Sequence, residues 1–274
     1  MNRRNRLLAV AATGAGWGLF ESQWVRQCVR EVPIAGLDPA LDGLRIGHLS
    51  DLHVGAPGLN GRSLARGVAL LRRVQPDLVV ISGDLRARRS GDAALRRSLA
   101  LLDAPLGAFA VLGNHDHADG HDPFADGVAL DELDGTPVRL LRDETATVEA
   151  RGTRIHIGGL APRTFEAADD ERGAALVDTT AGLRILACHF PRILDRVEPG
   201  EWQLILSGHL HGGQICIPYP GGRFRLAHLS RDYLEGVYVR DGTAMHVSRG
   251  LGTTFVPLRF AARPEVTLLE LRAA

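Results

Sequence analysis

The stretch LRIGHLSDLHVG, residues 44–55, is apolar for half its length and then sets Asp51 and His53 two positions apart. Apolar runs with little polar alternation are what strands covered on both faces look like. The run at Leu44–Leu49 is followed by others at Leu78–Ile81, Phe109–Leu112, Leu183–Ala187 and Leu204–Leu206. Each ends in polar text: SDLH (50–53), SGD (82–84), GNHD (113–116), CHF (188–190) and SGHLH (207–211). Helical spacing occupies Arg62–Val74 and Asp92–Leu102, so the early order is strand, helix, strand, helix, strand. That is the pattern of a parallel α/β sheet. In such sheets ligands sit beyond the carboxyl ends of the strands, which predicts that these endings converge on one rim.

What would converge is Asp51, His53, Asp84, Asn114, His189, His209 and His211, with His115 alongside. Imidazole and carboxylate together suit manganese, iron or zinc, whereas calcium and magnesium prefer all-oxygen shells. The set is too large for one ion. With four protein ligands per ion and one shared carboxylate it fills two adjacent divalent-metal sites, the arrangement that clamps both ends of an in-line displacement at phosphorus. Gly83, Gly113, Gly208, Gly212 and Gly213 let the backbone turn sharply at the strand ends and leave room beside the ions. A single DxH or GD is a common loop text, so the weight rests on all the motifs in order, each at a strand end. His48, His117, His121, His156, His228 and His246 have no such setting and read as structural or solvated. Cys188, beside His189, reads as core filler.

Composition narrows the class. A chain of 274 residues with 45% hydrophobic content can bury one substantial core. Its 32 basic and 32 acidic residues balance, so there is no global field to gather polyanions and nucleic acid is not an expected partner. Cys28, Cys188 and Cys216 lack CxxC spacing and are odd in number, which reads as reduced thiols and not as a disulfide framework. The N-terminus differs from the rest. Arg3, Arg4 and Arg6 precede an apolar run from Leu7 to Phe20, the length of a signal peptide and short of the roughly 20 residues of a full span. With Trp17, Phe20 and Trp24 added, residues 1–32 read as a signal or membrane anchor, and residues 33–274 as one catalytic domain. A membrane-associated or exported protein is the expectation. An amphipathic helix packed on the domain is the alternative.

The series Asp51-x-His53, Gly83-Asp84, Gly113-Asn114-His115-Asp116, His189 and Gly208-His209-x-His211 resembles the motif set of the calcineurin-like metallophosphoesterases. HGGQICIP (211–218) and the C-terminal text from Tyr238 to Leu271 extend the likeness toward a bacterial membrane-associated branch, which includes phosphodiesterases and UDP-diacylglucosamine pyrophosphatases. The resemblance implies a four-layer α/β/β/α sandwich, two sheets flanked by helices. It implies a first ion on Asp51, His53, Asp84 and His211, and a second on Asp84, Asn114, His189 and His209. A hydroxide between the ions would attack phosphorus, and His115 would stabilise the transition state or protonate the leaving oxygen. Many members read GDxxD, whose second aspartate orients that histidine. Here the text is Gly83-Asp84-Leu85-Arg86-Ala87. Either Asp116 or another carboxylate takes over, or the acid role of His115 is weakened.

Between the third motif and His189, DPFADGVALDEL (122–133) reads as a helix with Asp122 as N-cap and Pro123 in its first turn. Short strands follow around Pro137–Leu141, Thr145–Ala150 and Arg154–Gly158. The loop text APRTFEAADDERG (161–173) is a place for substrate selection or a solvated connector. Among Arg86, Arg163, Arg192 and Arg249, the last, in SRGLG (248–252), is the leading candidate to clamp a phosphate. The expected activity is metal-dependent hydrolysis of a phosphodiester or pyrophosphate, in a small phosphoester or in a lipid-linked one at a membrane surface. A soluble nucleotide-type phosphodiesterase and a catalytically weak module binding phosphorylated head groups are the alternatives. Oligomeric state is not legible.

Overall fold

The structure, a computed structural model, describes residues 2–117, 126, 130, 133–226 and 232–274. Helix α1 (Arg3–Gln23) leads into strand β1 (Arg26–Ile34), then β2 (Arg45–Leu49), α2 (Asn60–Val74), β3 (Leu78–Ser82), α3 (Asp92–Leu99) and β4 (Ala108–Val111). Next come β5 (Val138–Leu140), β6 (Glu144–Ala150), β7 (Thr153–Leu160) and the short helices α4 (Pro162–Glu166) and α5 (Asp170–Ala174). The chain continues through β8 (Leu183–Cys188), β9 (Leu204–Ser207), β10 (Cys216–Tyr219), β11 (Gly222–Arg225), β12 (Gly236–Arg240), β13 (Thr243–Val247) and β14 (Glu265–Ala273). The expected strands at the five motifs and the two expected helices are all present within a few residues of their predicted bounds. The helix expected over 122–133 lies largely outside the described residues.

These strands form two six-stranded sheets, ordered β1-β14-β2-β3-β4-β5 and β12-β13-β9-β8-β7-β6, with β10 and β11 as a separate hairpin. In the first sheet β2 to β5 run parallel, β14 is antiparallel to β2, and β1 is parallel to β14. In the second, β7, β8, β9 and β13 are parallel, and β6 and β12 close the edges antiparallel.

Period-two alternation explains why the strands read as unbroken apolar text: each face meets a different core. Leu78 and Val80 point between the sheets, where they meet Ile185, Leu204 and Leu206 of the second sheet. Val79 and Ile81, one residue out of phase, pack outward with Leu64, Val68 and Leu71 of α2 and Leu95 and Leu99 of α3. The outer face of the second sheet carries Leu186, Ile205, Met245 and Val247 under Phe190, Ile193 and Trp202. The result is the expected α/β/β/α order, and the expected single rim is a rim shared by two facing sheets.

Two features involve the N-terminal residues. Strand β1 crosses the boundary placed at residue 32 and pairs along its whole length with β14, so the first sheet contains residues from both sides of it. The C-terminal half of α1 rests on the segment after β13: Gly18 O accepts from Arg259 N at 3.1 Å, and the buried Glu21 accepts from Ala262 N at 2.9 Å. Among the described residues no helix is long and apolar enough to cross a membrane.

Candidate metal centre

The loops after β2, β3 and β4 meet those after β8 and β9 at the mouth of the sandwich, and all seven candidate ligands come together there. Asp51, His53, Asp84 and His211 are buried, with one ligand atom from each within 4.8 Å of the others. His53 Nε2 is 3.4 Å from Asp84 Oδ2, His211 Nε2 is 3.3 Å from Asp51 Oδ1, and the two imidazole nitrogens are 3.1 Å apart. On the other side His189 Nε2 lies 3.1 Å from the same Asp84 Oδ2 and 3.3 Å from His209 Nδ1, which is 3.1 Å from Asn114 Oδ1. Asp84 Oδ2 therefore belongs to both groups.

The backbone holds this crowding under strain. Asp51, His53, Asp84, His209 and His211 have φ of 51°, 42°, 53°, 76° and 50°, in the left-handed region that costs a side-chain-bearing residue about 1–3 kcal/mol. Cross-bracing compensates. Asp51 N donates to Gly83 O at 2.9 Å, His53 N to Asp84 O at 2.9 Å, and Gly252 N to Asp51 O at 2.7 Å. His115 N donates to Asp84 Oδ1 at 2.9 Å, which leaves Oδ2 for the cluster, and His209 N donates to Asp51 Oδ1 at 3.0 Å. Only glycine fits at two of the turns. A Cβ on Gly113 would overlap the Asp84 carboxylate, and one on Gly208 would overlap Ser50 Oγ and Asp51 Oδ2.

The acceptors need a cation. His189 Nδ1 is 2.8 Å from Ser82 O, so that nitrogen carries a hydrogen and Nε2 is the ring atom that faces Asp84 and His209. Burial opposes the charged form of Asp84, but His189, His115 and His53 outweigh it and hold the carboxyl well below the usual range. Burial likewise opposes ionised Asp51, which His211 keeps low. Burial also works against an imidazolium at His189, yet the Asp84 charge raises it to about 9, whereas burial and neighbouring histidines push His53 down to about 3 against the pull of Asp84. Carboxylate, imidazole and amide lone pairs facing one another this closely repel unless positive charge sits among them, and the donor set suits a borderline divalent ion.

Other candidates are placed differently. Both oxygens of Asp116 are taken by backbone amides, those of Leu85 and Arg86 at 2.9 Å and of Gly113 at 2.8 Å. It ties the GD loop to the GNHD loop, and with both oxygens engaged this way it is not the carboxylate that stands in for Ala87 beside the His115 ring, one of the alternatives open from the sequence. Burial first, then Asp84, pushes its carboxyl up to about 6 against these amides. His115 sets its ring edge-on to His53, with centroids 4.8 Å apart, and 6.4 Å from Phe255. Arg249, expected to clamp phosphate, instead pairs its guanidinium with Glu235 at 2.6 Å and Glu265 at 3.7 Å, and lines a cavity with Trp17 and Trp24. Arg86 is buried and pairs with Asp92 at 3.0 Å.

Arg259 was not foreseen. It is fully buried and donates to the carbonyls of Gly252 (3.0 Å), His211 (3.3 Å), Ala262 (2.8 Å) and Arg249 (2.9 Å), so one cation fastens the His211 turn to the loop that bonds Asp51. Its only sequence signal is an arginine inside the apolar text FVPLRFAA (255–262). His48 and His246, read as structural, lie buried between the sheets with their Nδ1 atoms 2.7 Å apart. His156 is buried against Leu176 O at 2.7 Å.

Residues 44–213 match the family model described as Calcineurin-like phosphoesterase. An uncharacterized metallophosphoesterase of Bacillus subtilis, YkuE, is 28% identical over 97% of this chain and 94% of its own length. A zebrafish (Danio rerio) "transmembrane protein with metallophosphoesterase domain" is 30% identical over 97% of this chain and 62% of its own length. The Chlamydia trachomatis UDP-2,3-diacylglucosamine pyrophosphatase LpxG is 27% identical over 84% of each chain.

Proposed function

Because the chain belongs to the calcineurin-like phosphoesterases, we propose that the strand-end cluster is a two-ion centre hydrolysing a phosphodiester or a pyrophosphate. The observation that carries this is the position of Asp84 Oδ2 between two sets of donors, 3.4 Å from His53 on one side and 3.1 Å from His189 on the other. In this reading Asp51, His53, Asp84 and His211 hold one ion and Asp84, Asn114, His189 and His209 the other, with manganese, iron or zinc suited to the donors. Two bound divalent cations supply a nucleophilic water near neutral pH and positive charge for the phosphoryl oxygens.

The protein's own groups do the rest. His115 stands at the edge of the cluster, its ring against His53 and its backbone amide on Asp84, where its imidazole can give a proton to the leaving oxygen. Asp116 braces the loop that carries it. Asp84→Asn tests the assignment: metal content, measured by mass spectrometry, should fall, and hydrolysis of a chromogenic diester in manganese should drop by at least about 10²-fold. Wild-type turnover with two ions retained would sink it.

A lipid surface is the second part of the reading. The exposed Trp17 and Phe20 near the end of α1, with Trp24 just beyond it, would make the lipid contact, on a helix too short in apolar length to span. The names of the zebrafish and Chlamydia relatives, a transmembrane protein and a UDP-2,3-diacylglucosamine pyrophosphatase, favour the same reading. The full chain should sediment with anionic vesicles and a Trp17→Ser/Phe20→Ser variant should not. Equal sedimentation of both would favour a soluble diester as substrate. A catalytically weak binding module would show the two ions and no turnover.

A further inference from the structure

The surface next to the cluster is apolar. Ile215, Leu226, Phe255 and Val256, with Gln214 and Thr254, line a cavity of 310 Å³ that opens on His211. Its walls are fastened to each other: the Gln214 amide donates to Thr254 O at 2.8 Å and accepts from Thr254 N at 3.0 Å, and Leu226 N donates to Ile215 O at 3.0 Å. Yet the side chains facing the space are open to solvent. Phe255 and Leu226 are each 54% exposed and Val256 41%, and Ile217 and Phe224, paired across the β10–β11 hairpin, extend the same apolar character.

Phe255 is also held at φ 57°, a strained conformation for a bulky residue. Exposure of that many large apolar groups around one space, with an aromatic under strain among them, gives the fold nothing. Such patches mark binding surfaces.

The occupant can be specified. Among the described lining residues only His211 ionises, so the cleft selects against charge. A nucleobase would leave its polar edges unpaired against Ile215, Leu226 and Val256, which is costly. The cleft starts at a residue assigned to the metal centre, so what fills it is joined to the phosphoryl group under attack. We propose that this cleft binds a hydrocarbon chain carried by the phosphoester substrate. Its volume suits a chain of roughly eight to ten methylenes, at about 30 Å³ for each water-sized group. The inference rests on the phosphoesterase reading and adds the class of substrate to it.

A series of p-nitrophenyl alkyl phosphates, from methyl through butyl to octyl, tests it on the full manganese-loaded chain below the micellar range. Full burial is worth about fourfold per methylene and a half-open cleft about twofold, so kcat/KM should rise about 100-fold from methyl to octyl. Leu226→Asn and Val256→Asn should each cut the octyl-to-methyl ratio by about tenfold. Reading the ratio cancels any general loss from the substitution. Calorimetric binding of the matching n-alkylphosphonates, which cannot turn over, should show the same chain-length slope and the same loss in the variants.

A flat series on an enzyme that hydrolyses the methyl ester overturns the cleft assignment and leaves the phosphoesterase reading standing. A slope that survives both substitutions also overturns it, since the chain then binds elsewhere. Hydrolysis of no member, together with absence of bound metal, overturns the underlying reading and the inference with it.

Discussion

Acid should loosen the sandwich at the contact between His48 and His246. Both rings are buried between the sheets, and His48 Nε2 is held at 2.8 Å from Ser82 Oγ, so neither can reach water when it takes a proton. Burial pushes His246 down to about 4, and burial together with His246 holds His48 well below the usual histidine range. The unfolded chain binds these protons near pH 6.5, as free histidine does. Stability from the pair is therefore complete above about 6.5 and is lost as pH falls toward the folded-state value, because the unfolded state binds more protons throughout that window. For His246 alone the loss between about pH 7.5 and about pH 5 is on the order of 2 kcal/mol, and His48 adds to it in the same direction. Urea unfolding of wild type and His246→Asn at the two pH values reads the effect. Since the metal-site groups titrate in both proteins, only the difference between their pH slopes counts. The variant should lose about 2 kcal/mol less than wild type across the interval. Superimposable slopes would refute the claim that these rings are neutral and closed off from solvent.

Other perturbations follow from the cluster. His115→Ala should retain both ions and lose about 10²–10⁴-fold in kcat on a poor leaving group, with a smaller loss on p-nitrophenolate; equal losses would exclude it as the acid. Gly113→Ala, which drives a methyl group into Asp84, should cost about 1–3 kcal/mol in thermal or urea unfolding and lower metal content; an unchanged metal content would show that the turn relaxes freely. Arg259→Met should weaken the ion held by His211 about 10–100-fold in metal titration while the ion on His189 and Asn114 is less affected. Equal weakening of both ions would mean that Arg259 supports the whole rim and not one turn.

The sequence announced the strand ends because their chemistry is local: apolar text stops and a ligand follows. What it could not announce depends on partners far along the chain. Nothing in the spacing separates the sheet of β2 to β4 from that of β8 and β9, since a parallel strand reads the same in either; the two-sheet layout came from the family resemblance. The left-handed turns at Asp51, His53, Asp84, His209 and His211 are imposed by cross-loop hydrogen bonds and leave no mark in residue type. Arg249 sits in a turn that looks made for an anion, but Glu235 and Glu265 neutralise it, and Arg259, seven residues beyond the SRGLG stretch, stands in apolar text with no motif around it. β1 was absorbed into a leader because most of its residues are charged or exposed, and only Val32 and Ile34 at its end enter the core.

The register of β1 on β14, from Arg26 beside Glu265 to Ile34 beside Ala273, sets an order in time. A ribosome makes β1 before and β14 after every other described strand of the two sheets, and β14 also stands between β1 and β2, so β1 has no interim seat in the sheet. The segment on which α1 rests, around Arg259 and Ala262, is made almost as late. Strands β2 to β13 can assemble while the leading residues wait outside. Closing so long a loop adds little to the equilibrium cost, because loop entropy grows only with the logarithm of length, but it makes the closure late. During that interval the aromatic end of α1 is unclaimed by its own domain and free to find another surface first. A nascent chain arrested before Glu265 should leave residues 26–34 open to protease, and release of the full chain should close them.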